Sequence, residues 1–114
     1  MKANCAVCRS ELDYISVIAN AGERLVRTIQ IVVEFYASWT EPSLCISRFL
    51  STVMEEYPDV LFLRVNLDEC VEVFQKYQVT VLPCVKVIRE GEQLGEVLGA
   101  RASEIRQLIA EHVN

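Results

Sequence analysis

The sequence predicts an α/β domain, and three observations carry that prediction. Residues 31–36 and 60–67 are apolar runs rich in β-branched and aromatic residues, the composition of strands buried on both faces. Each run gives way to a stretch whose apolar residues recur at the helical period. Near the C-terminus, residues 81–89 and 93–98 flank Glu90-Gly91, a hairpin turn in which glycine takes a positive φ freely.

Taken in order, residues 1–9 read as a flexible polar tail, and residues 10–114 as the folded domain. The tail contains Cys5-Ala-Val-Cys8, a C-x-x-C. This motif is open to three readings: incidental thiols, a redox or regulatory disulfide, or half of a zinc site. Further zinc ligands would have to come from Cys45, Cys70, Cys84 or His112, none suitably paired in sequence, so no metal is expected. Residues 10–24 place Leu12, Ile15, Ile18 and Ala19 at helical spacing, with Ser10 as N-cap and Gly22 near the end. A short strand before this helix has little support, Val7 at most.

Pro42 suits the first turn of a helix, which the apolar face of Leu44, Phe49, Leu50, Val53 and Met54 carries to about Glu56 before Pro58. Cys45 on that helix reads as a small buried hydrophobe. Asp68 is expected to cap a helix over residues 69–77, where Cys70 has no visible partner. Gly99 ends the last strand, and Ser103 is expected to cap a helix lined by Ile105, Leu108, Ile109 and Val113.

A chain of 114 residues is the size of one domain. Its net charge of −5 argues against nonspecific binding to nucleic acid or an anionic membrane. No apolar run approaches a membrane span, and Lys2, Arg9, Glu11 and Asp13 break any signal-peptide core. Five cysteines without framework spacing point to a reducing compartment, the cytoplasm. A monomer or weak dimer is expected.

The stretch Phe35-Tyr36-Ala37-Ser38-Trp39-Thr40-Glu41-Pro42-Ser43 resembles the active-site segment of thioredoxins. There the order is Phe, aromatic, Ala, any residue, Trp, Cys, Gly, Pro, Cys. Phe35, Tyr36, Ala37, Trp39 and Pro42 match; Thr40 and Ser43 stand at the two cysteine positions and Glu41 at the glycine. Val79 to Ile88 resembles the segment with the family's cis-proline, here Pro83, and residues 91–100 resemble its last strand and following glycine. The resemblance spans roughly Leu25 to Val113. It implies a thioredoxin fold: a central mixed sheet of four to five strands flanked by four helices.

Dithiol exchange needs an ionised thiol and a second thiol to resolve the mixed disulfide. Hydroxyls of Thr40 and Ser43 do not ionise usefully near neutral pH, and His112, the one histidine, lies far along the chain. Glu34 and Arg64 are lone charges within apolar runs and are expected to pair. In the family an acid and a lysine hold the corresponding places. The resemblance also implies a groove for an extended segment of another protein, formed here by Trp39, Thr40, Glu41, Pro42, Leu82 and Pro83.

The function expected from these residues is a redox-inactive protein-binding or adaptor module in redox homeostasis or iron trafficking, without cofactor. The Trp39-Thr40-Glu41-Pro42-Ser43 loop is also similar to that of the thioredoxin-like docking domains in multidomain monothiol glutaredoxins. The alternatives are a thiol–disulfide oxidoreductase using Cys5, Cys8 or Cys84, and a cysteine-based redox sensor.

Overall fold

A computed structural model of the chain describes residues 4–22 and 30–113. Nine elements follow one another: β1 (Cys5–Cys8), α1 (Glu11–Gly22), β2 (Gln30–Tyr36), α2 (Glu41–Glu56), β3 (Leu61–Asn66), α3 (Val71–Lys76), β4 (Cys84–Arg89), β5 (Glu92–Leu98) and α4 (Ala102–His112). They form one five-stranded mixed sheet in the order β1-β3-β2-β4-β5. The first three strands run parallel, and β4 and β5 are antiparallel to their neighbours. Central β2 is buried from Ile31 to Tyr36, as its apolar composition requires of a strand covered on both faces.

Strand alternation sorts the core into two layers. Val32 on β2, Phe62, Val85 and Val87 face α2 and α4, where Ile46, Leu50, Val53, Ile105 and Ile109 close over them. Ile31, Val33, Phe35, Leu63 and Val65 face the other way, toward Tyr14 of α1 and Val73 and Phe74 of α3. Gly95 of β5 lies close beneath α4, so a larger residue there would push on the Leu108 side chain. A Cβ there would lie 2.6 Å from Leu108 Cδ1 and 3.5 Å from His112 Nε2. The hairpin between β4 and β5 turns through Glu90 (φ 53°) and Gly91 (φ 77°), two positive φ values of the kind tight hairpins favour.

Several local expectations need correction. The stretch read as a flexible tail contains β1, which pairs with β3 from Cys5↔Phe62 to Cys8↔Val65. Four residues are too few for a legible alternation, and Asn4 secures the strand's start by donating to the carbonyls of Met54, Tyr57 and Val60. Asp68 does not cap α3: Cys70 occupies that place without a side-chain bond, and Asp68 accepts from Trp39 instead. Ser103 lies inside α4, whose N-cap is Arg101. β4 begins at Cys84 rather than Val81. The expected reach of α1 to Arg24 and the start of the resemblance at Leu25 lie outside the described residues. Among the described residues, no helix is long and apolar enough to cross a membrane.

Candidate functional site

The loop between β2 and α2 is closed by hydroxyls. Thr40 is the N-cap of α2 in extended conformation, and its Oγ1 accepts from the Ser43 amide at 3.2 Å. The same hydroxyl donates to Ala37 O at 3.3 Å. Ser43 is fully buried, and its Oγ accepts from the Ala37 amide at 3.2 Å. Each hydroxyl therefore holds backbone that would otherwise lack a partner. No base stands behind either oxygen; His112 is at the end of α4, against Gly95. Nothing here activates a hydroxyl as a nucleophile.

Trp39 projects from this loop, 66% exposed, its indole N–H donating to Asp68 Oδ1 at 3.3 Å. The Leu82–Pro83 peptide is cis, Pro83 is buried, and Leu82 packs on the core layer beneath α1 and α3. Glu41 and Pro42 are exposed in the first turn of α2. Of the six residues expected to line a groove, Trp39, Glu41 and Pro42 are open to solvent, Thr40 and Leu82 are half-buried, and Pro83 is buried. The sequence did not reveal the adjoining shallow cleft lined by Val71, Phe74, Val79 and Thr80. Val71, an exposed valine on α3, is its one apolar hint, and a single exposed valine is unremarkable.

Glu34 and Arg64 are directly opposite in the β2–β3 ladder, and Arg64 Nε lies 3.1 Å from Glu34 Oε1. Ser47 of α2 completes a triad: its hydroxyl donates to Glu34 Oε2 and accepts from the Arg64 guanidinium at 3.1 Å. The guanidinium also lies 4.2 Å from the centroid of the Tyr36 ring, a cation–π arrangement. Burial pushes the Glu34 carboxyl above its ordinary range, against the opposing pull of Arg64 and Ser47. Ser47 was missed because one serine on an amphipathic helix carries no signal of an inward hydrogen bond.

The five cysteines occupy very different surroundings. Cys8 and Cys84 are buried, and burial pushes their thiols up to about 12 and about 11. Cys70 is also buried, with its thiol shifted the same way. Cys5 is half-buried and packs on the α2–α4 layer, whereas Cys8 packs on the opposite one. Three positions along a strand put side chains on opposite faces, so the C-x-x-C does not bring its own thiols together. Cys45, expected to be buried, is exposed. At 100° per residue it shares the solvent face of α2 with Glu41 and Pro42. Among the described residues no cluster of His, Cys, Asp and Glu is arranged to hold a metal ion.

The thioredoxin family model matches residues 14–111. An H-type thioredoxin of Ricinus communis is 37% identical over 83 residues, covering 73% of this chain and 70% of that protein. Thioredoxin H1 of Arabidopsis thaliana is 35% identical over 83 residues, covering 73% of each. The crystallographic structure of Fasciola hepatica thioredoxin superposes with a TM-score of 0.84 at 28% identity, covering 93% of this chain and 97% of that one. These findings overturn the expectation of a redox-inactive adaptor. The relatives are thioredoxins, not docking domains of monothiol glutaredoxins, and they favour thiol–disulfide exchange. The family dithiol positions hold Thr40 and Ser43, but of the chain's five cysteines four are buried or half-buried and Cys45 is open to solvent.

Proposed function

The chain belongs to the thioredoxin family, and from that premise we propose that it is a thiol–disulfide oxidoreductase working with one thiol at a time, Cys45. The observation that carries this reading is the exposure of Cys45 on the face of α2 that also bears Glu41 and Pro42. A catalytic thiol must be reached by its substrate and ionise within reach of neutral pH. Cys8, Cys70 and Cys84 fail both requirements, being buried with raised pKa values.

The thiolate of Cys45 attacks one sulfur of a substrate disulfide, a mixed disulfide forms, and the other substrate sulfur leaves as a thiolate. A low-molecular-weight thiol then attacks the Cys45 sulfur of that mixed disulfide and frees the second substrate thiol. A further molecule of the same thiol returns Cys45 to its reduced form and leaves as the oxidised disulfide. The substrate is a polypeptide whose extended segment lies along Trp39 and Pro83, with the exposed indole as anchor. Five cysteines without framework spacing fit work in a reducing compartment such as the cytoplasm.

Reduction of insulin disulfides under dithiothreitol tests the reading. The wild type is expected to accelerate the reaction above dithiothreitol alone, Cys45→Ser to abolish the acceleration, and Cys8→Ser and Cys84→Ser to retain it. No acceleration by the wild type, or full acceleration by Cys45→Ser, overturns the assignment.

A further inference from the structure

A second pair of thiols lies away from the α2 loop, where β1 ends and α3 begins. Cys70 Sγ donates to the carbonyl of Cys8 at 3.3 Å, so its sulfur rests against the other cysteine's own backbone. Cys8 Sγ donates to Ser10 O at 3.2 Å. Both cysteines are buried in the same layer with Tyr14, Phe35 and Val73. The flanking residues are tied independently, for Arg9 and Glu69 form a salt bridge at 3.3 Å. Cys8 ends the last β1–β3 pair, opposite Val65, and Cys70 is brought back over it by the turn that bonds its amide to Asn66 O at 2.9 Å.

We propose that Cys8 and Cys70 form a reversible disulfide, a redox site separate from Cys45 that staples edge strand β1 to the start of α3. The oxidant is a small-molecule disulfide. One cysteine thiolate attacks it and forms a mixed disulfide, releasing the first small thiol. The second cysteine, deprotonated, displaces the remaining small thiol and closes the Cys8–Cys70 bond. Two electrons pass from the protein to the small disulfide, and the two protons lost from the cysteines end on the two small thiols. Burial makes the reaction slow in the closed protein. β1 is a four-residue edge strand bonded to one neighbour, and its fraying admits the oxidant.

The test incubates the reduced full-length chain with oxidised glutathione, blocks remaining thiols with a maleimide, and maps disulfides in the tryptic digest by mass spectrometry. Cys5→Ser and Cys45→Ser variants are treated in parallel. The expected product in all three is a peptide containing Cys8 joined to the peptide containing Cys70, absent from Cys70→Ser. Persistence of that product in Cys45→Ser, whatever its insulin activity, separates this inference from the proposed function. A link from Cys70 to the 3–9 peptide that disappears in Cys5→Ser overturns the proposal. So do glutathione adducts on Cys8 and Cys70 without a crosslink, or maleimide on both thiols after prolonged oxidation. Should Cys70→Ser fold poorly, the Cys5→Ser map alone still decides, because it leaves Cys8 as the one cysteine in its peptide.

Discussion

The two faces of the sheet solve the same problem, polar atoms inside a small core, in different ways. Toward α2 the polar groups are oxygens and a charge pair: buried Glu34 and half-buried Arg64 and Ser47 satisfy one another, and buried Ser43 holds the Ala37 amide. Toward α1 and α3 they are the thiols of Cys8, Cys70 and Cys84 and the phenol of Tyr14, set among aromatic rings such as Phe35 and Phe74 at 5.4 Å. Oxygen networks are expensive to interrupt, because each lost partner leaves a desolvated group. Thiols are weak hydrogen-bonders and behave as small hydrophobes, but they can be oxidised. The contrast separates a face whose polar groups carry stability from one whose thiols are shielded from solvent.

The contrast is broken most directly at Arg64. Arg64→Ala leaves Glu34 buried with the Ser47 hydroxyl but without its charge partner and is expected to cost about 3 kcal/mol, the low end for a buried pair, since Glu34 escapes part of the cost by taking a proton. Urea unfolding at neutral pH measures it, and an unchanged midpoint removes the triad from the stability account. Next comes Ser43→Ala, which orphans the buried Ala37 N–H and is expected to cost about 2 kcal/mol by the same measurement. Cys84→Ala on the other face removes one buried sulfur and no essential hydrogen bond, for about 1 kcal/mol. If Cys84→Ala proves costlier than Ser43→Ala, the division between an oxygen face and a sulfur face fails.

The sequence carried the buried strands and amphipathic helices because periodicity and composition are local properties. It carried the Glu34–Arg64 contact for a similar reason: a single charge in an apolar run must find its opposite. β1 was beyond it, since four residues held by Asn4 and one neighbouring strand make a tertiary fact rather than a pattern. The roles of Asp68 and Ser103 were misjudged because cap preference is statistical, and Asp68 found a better partner in Trp39. The site was half legible. Thr40 and Ser43 could be read as hydroxyls in place of thiols, but the exposure of Cys45 and the approach of Cys70 to Cys8 depend on which way a helix and an edge strand face.

The finest test of the two faces is pH, because each should fail in its own window. Glu34 has a folded pKa raised above the ordinary 4.5, so its contribution to stability is fully present below that value and lost as pH rises through the folded pKa. Urea midpoints of the wild type should therefore fall relative to Glu34→Gln on going from acid toward neutral pH, then run parallel. The thiols are acids shifted the same way from 9.0, with Cys8 reaching about 12 and Cys84 about 11. Their contribution is intact up to about 9 and is lost above it, as the unfolded chain releases protons that the folded chain retains. Cys84→Ala should flatten part of that alkaline fall and leave the acid limb untouched, whereas Glu34→Gln should do the reverse. A Cys84→Ala profile that changes on the acid limb would show that the two layers are coupled through β2, and the separation of faces would have to be abandoned.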